Sequence, residues 1–593
     1  MRLASLGIAL MVLASCYGTP AQAPPGAGSA GVGGEAGSGG GGLAMAGMGG
    51  LAGTGGTATA GPGGAAGNAD GGLGDARSDG GQLEITSPTS PTYTNQAITI
   101  RVSVQGTASG AVQLLRDGTS LATLSGPSYS FVWDTTQEAE GSYQLVAQTV
   151  EGGEIVMSPP VTVVVDRTPP TIVSSVPGPG ATNVSLTDPI RVVFSEALAS
   201  SSVTNSSVRL AFGSAAVNAT ATLATNSKTV EIAIADRSSL VLPGPMTETV
   251  ATTIKDLAGN SFGGMMWTVS VPVWVDMGTL EGGYPQMVLG AGGEPIVVTG
   301  SDTLRIARYS GGTSWDTNIP SPAAAGASQG IGTFGIAAGK NGDLFVSWIE
   351  PSSVQLARWT GSVWDRSWPS PAGGKAVNPA VGVTANNAPV VYWESDPQGN
   401  SYYYQSNVSA WNGMGWTSLL GLPMGPCNSV PCRIVLDKSG FPAVEVNSSL
   451  FRWSGSAWSG PSGYSLAALA VNAADQVVSA QDTETALQVV ALSSQGTLTN
   501  YVPVLPETVV RINPDESPQL AIDGLNQPIV VWYNSVGLHV ARWTGATWDK
   551  SYGSFAVSRG KAAIAVAQGS IPILARQDQT ASGLVTRVGK SNH

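Results

Sequence analysis

The 593-residue chain combines 42% apolar residues with only 11% charged residues, and it contains 78 glycines. This length and glycine content exclude one uniform core and predict several domains with a linker. The chain has 27 basic and 39 acidic residues, a net charge of −12, and no cluster of Lys and Arg. Nucleic acid is therefore excluded as an expected partner, because phosphate binding needs clustered cations.

The N-terminus predicts an export signal. Arg2 precedes a short apolar run, and Leu13-Ala14-Ser15-Cys16 follows it. This order resembles the lipobox of bacterial lipoproteins, which implies removal of a signal peptide, residues 1–15, and lipidation of Cys16. An ordinary secretory signal with an incidental Cys16 is one alternative, and an uncleaved anchor is another, although the apolar run is short for spanning a bilayer. Tyr17 is not the aspartate that the resemblance associates with inner-membrane retention, so we expect a lipid-anchored protein at the outer membrane or cell surface.

Residues 16–81 predict a disordered linker. They consist almost entirely of Gly, Ala, Ser, Thr and Pro. Such a tract has almost no large side chains to bury and cannot offset the entropy of ordering its backbone. A flexible tether of this length has a mean reach on the order of 40–50 Å.

Residues 82–166 predict a β-sandwich. Apolar residues fall at every second position in four runs, separated by turn signals such as Asp117-Gly118. The run Gly141-Ser142-Tyr143-Gln144-Leu145-Val146-Ala147 resembles the late strands of bacterial Ig-like domains. There is no cysteine pair in this segment, so the resemblance implies an Ig-like domain without the disulfide of antibody domains.

Residues 167–270 predict a second sandwich. The segment opens with Thr168-Pro169-Pro170 and continues through Ile190-Arg191-Val192-Val193-Phe194-Ser195-Glu196 to Asp256-Leu257-Ala258-Gly259-Asn260. This order resembles the Ig-like domain of bacterial S-layer proteins, which implies a stalk or spacer. We interpret Glu196 and Asp256 as turn and cap residues in preference to metal ligands.

Residues 271–593 contain a repeat of 42–52 residues, each with about four short β stretches. An aromatic residue, a glycine and a second tryptophan recur in phase, and a second recurring element, such as Asn526-Gln527-Pro528-Ile529-Val530-Val531, raises the count to seven. The aromatic pairs are Tyr309 with Trp315, Trp359 with Trp364, Trp411 with Trp416, Trp453 with Trp458, and Trp543 with Trp548. A degenerate repeat that lacks the tryptophans lies around Leu487 to Leu492. This period predicts a seven-bladed β-propeller, and the fold class is therefore all-β, with two Ig-like sandwiches before the propeller.

The two ends of the repeat region predict how the ring closes. The last repeat stops after Leu584 to Gly589 without an outer Trp-Asp strand, whereas Val271 to Asp276 precedes the first full repeat and contains Trp274-Val275-Asp276. We expect this N-terminal segment to complete the last blade, which would remove exposed sheet edges.

The repeated side chains are the candidate ligand-binding residues, and blade packing is the alternative role for them. They comprise Trp359, Trp364, Trp411, Trp416, Trp453, Trp458, Trp543 and Trp548, with Arg358, Arg452 and Arg542. Tryptophan faces suit sugar stacking, and the pattern resembles tryptophan-bearing repeats of bacterial seven-bladed lectins. The arginines invite comparison with sialidases, but one arginine at the same place in successive blades indicates pairing within each blade. Glu350 and Glu394 could supply the carboxylates.

Catalytic and metal-binding patterns are sparse. His539 alternates with apolar residues and is predicted to be a strand residue, and the remaining histidine is the terminal His593. Cys427 and Cys432 lie close together in an exported chain, which predicts a loop disulfide. We expect no catalytic residue, cofactor or metal.

Two hypotheses of function follow. The first is a non-catalytic surface lipoprotein that presents the propeller as a binding or adhesion module for a glycan or another surface component. The second is a purely structural envelope protein whose tryptophans only pack. A glycan-active hydrolase or lyase is a third and weaker alternative, because the spacing shows no carboxylate cluster.

Overall fold

The computed structural model describes residues 83–593 with gaps at 106–109, 127, 238–239, 301–302, 324–332, 372–374, 397–403, 426–431, 448, 461–467, 483–485, 503–504, 506–516, 535 and 557–559. The predicted signal peptide, Cys16, the linker and Cys427 lie outside the described residues. The described part contains 46 strands, two short 3-10 helices (Thr135–Gln137 and Ser200–Ser202) and no α-helix. The prediction of an all-β chain is confirmed.

The first sandwich contains nine strands in two sheets. The strands are β1 (Leu83–Ser87), β2 (Thr92–Thr94), β3 (Ile98–Val104), β4 (Val112–Arg116), β5 (Thr119–Leu124), β6 (Ser130–Trp133), β7 (Gly141–Glu151), β8 (Glu154–Met157) and β9 (Val161–Val165). One sheet has the order β1-β3-β6, and the other has the order β2-β9-β7-β4-β5 with β8 paired to β7. Alternate residues such as Ile100, Leu114 and Val163 point inward and are buried, as the period of two predicts.

The second sandwich contains eight strands in two four-stranded sheets. The strands are β10 (Ile172–Val176), β11 (Ile190–Phe194), β12 (Val208–Phe212), β13 (Ala215–Val217), β14 (Ala219–Leu223), β15 (Thr229–Ile234), β16 (Gly244–Val250) and β17 (Met265–Val271). The sheet orders are β10-β11-β15-β14 and β13-β12-β16-β17. Val192, Phe194 and Val230 lie in the core between the sheets.

The repeat region forms seven small antiparallel sheets, here called blades 1 to 7. Blade 1 contains β19 (Gly283–Leu289), β20 (Pro295–Gly300), β21 (Leu304–Gly311) and β22 (Ser314–Ile319); blade 2 contains β23 (Gly335–Ala338), β24 (Leu344–Ile349), β25 (Val354–Trp359) and β26 (Trp364–Asp365); blade 3 contains β27 (Ala376–Val383), β28 (Pro389–Ser395), β29 (Gln405–Trp411) and β30 (Trp416–Ser418). Blade 4 contains β31 (Ile434–Leu436), β32 (Pro442–Val446), β33 (Ser449–Trp453) and β34 (Trp458–Ser459); blade 5 contains β35 (Ala468–Val471), β36 (Val477–Asp482), β37 (Leu487–Leu492) and β38 (Leu498–Asn500). Blade 6 contains β39 (Gln519–Ile522), β40 (Pro528–Tyr533), β41 (Leu538–Trp543) and β42 (Trp548–Asp549), with β43 (Ser554–Phe555) beside β41.

Blade 7 closes the ring by combining both ends of the repeat region. It contains β44 (Ala562–Ala567), β45 (Ile571–Thr580), β46 (Gly583–Ser591) and, as its outer strand, β18 (Trp274–Glu281). Strand β18 pairs antiparallel with β46, with Trp274 opposite Ser591. The inner strand of each blade lies against the next, and β44 returns to β19. The predicted closure is confirmed, although Val271 belongs to β17, because Pro272 lacks the N–H needed to continue a ladder.

The second sandwich is joined to blade 7 by side-chain amides. Asn592 is fully buried; its Oδ1 accepts from the N–H of Leu186 at 2.7 Å, and its Nδ2 donates to the carbonyls of Val184 at 2.9 Å and Pro272 at 2.8 Å. Asn183 exchanges two hydrogen bonds with the main chain of Asp276, at 2.8 and 2.9 Å. These bonds attach the second sandwich to blade 7 on both sides of the segment that connects β17 to β18.

Candidate functional site

The tryptophan pairs lie opposite each other in the hairpin that joins the third and outer strands of a blade. Trp359 is the register partner of Trp364, and Trp453 is the partner of Trp458. In each of the pairs Trp359–Trp364, Trp411–Trp416, Trp453–Trp458 and Trp543–Trp548 the ring centroids are 5.3 to 5.4 Å apart. Gly361 has a φ of 98°, a conformation that favours glycine and explains its recurrence at the turn.

The second tryptophan of a pair binds the main chain of the preceding blade. The indole Nε1 donates to a carbonyl oxygen in or just after the preceding outer strand: Trp315 to Met277 at 2.7 Å, Trp364 to Pro320 at 2.7 Å, Trp416 to Pro369 at 2.7 Å and Trp458 to Leu419 at 3.0 Å. Trp274 makes the same kind of bond to Tyr552 at 2.7 Å. These indoles connect neighbouring blades.

The candidate tryptophans differ only modestly in burial. Trp359, Trp543 and Trp548 are buried. The remaining candidates are half-buried: Trp364, Trp411, Trp416, Trp453 and Trp458. Partial exposure leaves edges of these rings in contact with solvent.

The repeated arginines pair with carboxylates in the hairpin between the first and second strands. Arg308 lies 3.7 Å from Glu294 and Arg452 lies 2.9 Å from Asp437, and the Nε of Arg542 donates to Asp523 at 2.7 Å. Arg358 lies 3.5 Å from Asp365 and 4.0 Å from Asp343. These ion pairs recur within successive blades and connect neighbouring strands of the same sheet.

Glu350 and Glu394 have different neighbours from those expected. Glu350 accepts a hydrogen bond from the indole of Trp348 at 2.9 Å. Glu394 accepts from Tyr392 at 3.1 Å and from Asn378 at 2.8 Å. The expectation failed because Glu350 lies at the end of its strand that is remote from Arg358, and because Ala410 occupies the position of the repeated arginine in blade 3, which contains Glu394.

His539 and Cys432 occupy structural positions. His539 lies in β41, its ring stacks on Trp532 with centroids 5.4 Å apart, and its Nε2 is 2.8 Å from the side-chain oxygen of Asn534. Cys432 is disulfide-bonded, while Cys427, the partner that the sequence predicts, lies outside the described residues.

Three carboxylates meet where the two sandwiches join. Asp166, Glu196 and Asp256 each place an oxygen within 4.8 Å of the others. Asp256 also accepts from the main-chain N–H and the side-chain amide of Asn260, both at 2.8 Å, as a turn residue does. Burial, followed by the neighbouring Asp166, raises the pKa of Glu196 from 4.5 to about 7.

A cavity of about 180 Å³ on the propeller axis was not predicted from the sequence. Residues from all seven inner strands line it, and Arg433 and Lys561 are among them. Neither cation belongs to the repeated motifs. The sequence signals them only by comparison between blades. Other blades have small or neutral residues, such as Gly335 and Ala380, on their inner strands where blades 4 and 7 have a cation.

Comparison with known proteins supports the reading of the two sandwiches. Residues 166–270 match the family model of a bacterial Ig-like domain, and residues 82–147 match that of a bacterial Ig domain. These segments are bacterial Ig-like domains. Such domains are typical of extracellular or surface proteins and fit a non-enzymatic role. A search of curated proteins found no match.

Solved structures resemble the chain only distantly. A quinonprotein alcohol dehydrogenase-like protein from Bacteroides thetaiotaomicron is 8% identical with a TM-score of 0.26, and the alignment covers 86% of this chain and 99% of that one. The extracellular domain of a B. thetaiotaomicron protein described as a one-component system is 12% identical with a TM-score of 0.34, covering 53% of this chain and 40% of that one. Fibronectin(III)-like modules of Clostridium thermocellum CbhA are 15% identical with a TM-score of 0.20, covering 32% and 94%. Scores this low carry no argument about function.

The described residues contain no helix that is long and apolar enough to span a membrane.

Proposed function

We propose that this protein is a lipid-anchored surface module in which the Ig-like domains carry the propeller as a non-catalytic binding or adhesion module. Signal-peptide removal before Cys16 would leave the lipid on that cysteine, and residues 16–81 would tether the folded part to the outer membrane. The partner is a glycan or another component of a cell surface.

The observation that carries this proposal is the joint between the second Ig-like domain and the ring. The bonds of Asn592 and Asn183 tie blade 7 to the second Ig-like domain. A ring fixed to its stalk keeps a constant orientation, which lowers the ordering cost when the ring binds a partner.

The tryptophans give more support to packing than to sugar stacking. The indole N–H groups of Trp364, Trp416 and Trp458 bind the preceding blade, and several of the other rings are buried. This observation favours the second candidate function, a purely structural envelope protein, and it moves the expected glycan contact away from the hairpins.

The anchoring is tested by metabolic labelling of the full chain with radioactive palmitate, followed by cell fractionation. Wild type should carry label and sediment with outer membranes, whereas Cys16→Ser should lose the label and appear in soluble fractions. Tyr17→Phe is the matched control and should behave as wild type. Equal labelling of Cys16→Ser would contradict lipidation at this residue.

Binding is tested on a glycan array with the purified full chain. Retained glycan binding in a folded Trp458→Leu variant, which has no aromatic face, would place the ligand away from the hairpins, as proposed here. Loss of binding in a folded Trp458→Leu variant would instead support the sugar-stacking role, and failure to bind any glycan or cell surface would favour the purely structural candidate.

A further inference from the structure

A cavity of about 270 Å³ lies between blade 7 and the last strand of blade 6. Blade 7 supplies most of its lining, and Phe555 comes from β43 of blade 6. The lining includes Trp274, Asp276, Phe555, Leu574, Arg576 and Arg587. The two aromatic rings and Arg576 are half-buried and Arg587 is exposed, so solvent reaches the cavity.

Arg576 departs from a pattern in the second strands of the blades. Blades 2, 3 and 6 have a buried tryptophan at the corresponding position, namely Trp348, Trp393 and Trp532. Each of these indoles packs against the preceding blade, as Trp393 does against Val354 and Leu356 of blade 2. In blade 7 a guanidinium takes the place of the ring that fills the space between neighbouring blades.

The side chain of Arg576 is directed toward Phe555. Its guanidinium carbon lies 4.6 Å from the centroid of the Phe555 ring, and 19% of the side chain is exposed. Stacking uses the flat face of a guanidinium and leaves the N–H groups at its edge available to acceptors. We attribute the cavity beside it to this exchange of an indole for a guanidinium.

The polar wall of the cavity consists of two neighbouring arginines. Arg576 in β45 and Arg587 in β46 are register partners and lie side by side on one face of blade 7. The Nε of Arg587 donates to Asp578 at 2.9 Å, whereas a terminal nitrogen of Arg576 is 3.9 Å from the same carboxylate. Arg576 makes no hydrogen bond among the described residues, so its donors can serve a ligand.

The apolar wall consists of Trp274 and Phe555. Their ring centroids are 5.7 Å apart and the rings are inclined by 54°. The indole Nε1 of Trp274 donates to the carbonyl of Tyr552 at 2.7 Å, which fixes the ring in place. Small-molecule sites typically combine such apolar walls with a few polar groups that orient the ligand.

The charges around the cavity balance. Asp578 and Asp276 act electrostatically on Arg576, and Asp276 is part of the lining. Burial lowers the pKa of Arg576, and the two carboxylates oppose this effect. Two arginines with two carboxylates have no net charge, so within the described part of the chain the site favours an uncharged ligand that carries hydrogen-bonding groups.

We propose that the cavity between blades 6 and 7 binds one neutral pyranose sugar unit. The rings of Trp274 and Phe555 would contact the C–H groups of the sugar, and Arg576 and Arg587 would donate to its hydroxyl oxygens. The volume lies just below the roughly 300–1,000 Å³ of sites for drug-sized ligands, which suits a single sugar unit. The inference rests on the proposed binding role of the propeller and names the ligand class and its place.

The test is isothermal titration calorimetry of the purified full chain with methyl glucoside, methyl galactoside and methyl mannoside, and with sodium glucuronate as the charged probe. Saturable binding of at least one neutral glycoside and weaker binding of glucuronate are expected. Absence of saturable binding by all three neutral glycosides would overturn the inference, as would tighter binding of glucuronate than of any of them.

Two variants locate the site. Arg576→Trp installs the residue of blades 2, 3 and 6, should fill the cavity and should weaken sugar binding at least tenfold. Phe555→Leu removes an aromatic wall and should also weaken binding at least tenfold. Arg366→Gln is the matched control, because Arg366 lies over the ring of Trp348 in blade 2, 5.6 Å from its centroid, and is not part of this cavity; its affinity should equal that of wild type. Unaltered binding in folded Arg576→Trp and Phe555→Leu would refute the assignment.

Thermal unfolding with and without the bound glycoside guards against misfolded variants. The glycoside should raise the melting temperature of wild type and of Arg366→Gln and should fail to raise that of folded Arg576→Trp. If Arg576→Trp does not fold, Phe555→Leu decides the result.

A glycan array separates this inference from the proposed function. Glycan binding that folded Arg576→Trp retains in full would reject the cavity as the site and leave the binding role of the propeller standing. Binding that wild type shows and Arg576→Trp loses would support both. The lipid anchor is judged independently by labelling at Cys16.

Discussion

Glu248 makes the stability of the second Ig-like domain depend on pH. The carboxyl lies in β16 between the inward-facing Met246 and Val250, is 0% exposed, and neither of its oxygens has a hydrogen-bond partner within the described part of the chain. Its register partner in β17 is Trp267, another core residue. Burial raises the pKa of Glu248 from 4.5 to about 7.

The sign and size of the effect follow from this pKa. Below about pH 4.5 the carboxyl is protonated in both folded and unfolded chains, so it does not bias folding. Between pH 4.5 and 7 the unfolded chain ionises while the folded domain stays protonated, and the free energy of unfolding falls as pH rises. The loss reaches about 3 kcal/mol once the pH has passed 7, at about 1.4 kcal/mol per pH unit.

Scanning calorimetry of the full chain at pH 5 and pH 8 measures this loss by comparing wild type with Glu248→Gln. The amide cannot ionise, so Glu248→Gln should lose less stability than wild type between the two values. For a domain of about 100 residues the difference corresponds to a shift in melting temperature on the order of 10 °C or more.

Glu231→Gln is the matched control for this experiment. Glu231 lies in the same domain, and its side chain is 48% exposed, so this variant should follow the pH dependence of wild type. If Glu248→Gln and wild type shift in parallel between pH 5 and pH 8, the carboxyl is not the source of the dependence and the reasoning fails.

Two further predictions concern the joint and the blades. Asn592→Ala removes three side-chain hydrogen bonds and should destabilise the joint by about 3 kcal/mol, at about 1 kcal/mol per bond; hydrogen exchange at Leu186 should accelerate, and unchanged protection would contradict the role of Asn592. Trp458→Phe removes the indole hydrogen bond to Leu419. Measured by urea unfolding, it should lower the free energy of unfolding by about 1 kcal/mol more than Trp411→Phe does, because Trp411 makes no such bond among the described residues. Equal losses of stability would show that the indole N–H contributes nothing.

Most of the architecture was predictable because its signals are local. The alternation of apolar residues defines the strands of both sandwiches, and the recurrence of Gly361-like turns between aromatic residues defines the phase of the blades. Even the closing strand was recognisable, since Trp274-Val275-Asp276 supplies what the last repeat lacks. These features depend on residues that are neighbours in sequence or that recur at a fixed period.

The partners of the repeated arginines were harder to predict. Arg308, Arg452 and Arg542 pair with a carboxylate in the hairpin before the second strand. Arg358 lies nearest to Asp365 in its outer strand and next to Asp343 in that hairpin, so its choice of partner over Glu350 depends on strand direction and register. The sequence offers both carboxylates as partners for Arg358, and neither composition nor spacing shows which of them is closer.

The sequence by itself determined the order of domains, the seven-fold repeat and the way the ring closes, because strand periodicity and turn preference depend on residues that are close in sequence. Only the tertiary structure decided which polar groups become buried and which meet. Glu248 lies on the apolar face of an alternating strand, a position normally held by an apolar residue. Arg433 and Lys561 line one axial cavity only because the blades stack around one axis. Burial and proximity of this kind depend on the arrangement of whole sheets, which no local pattern specifies.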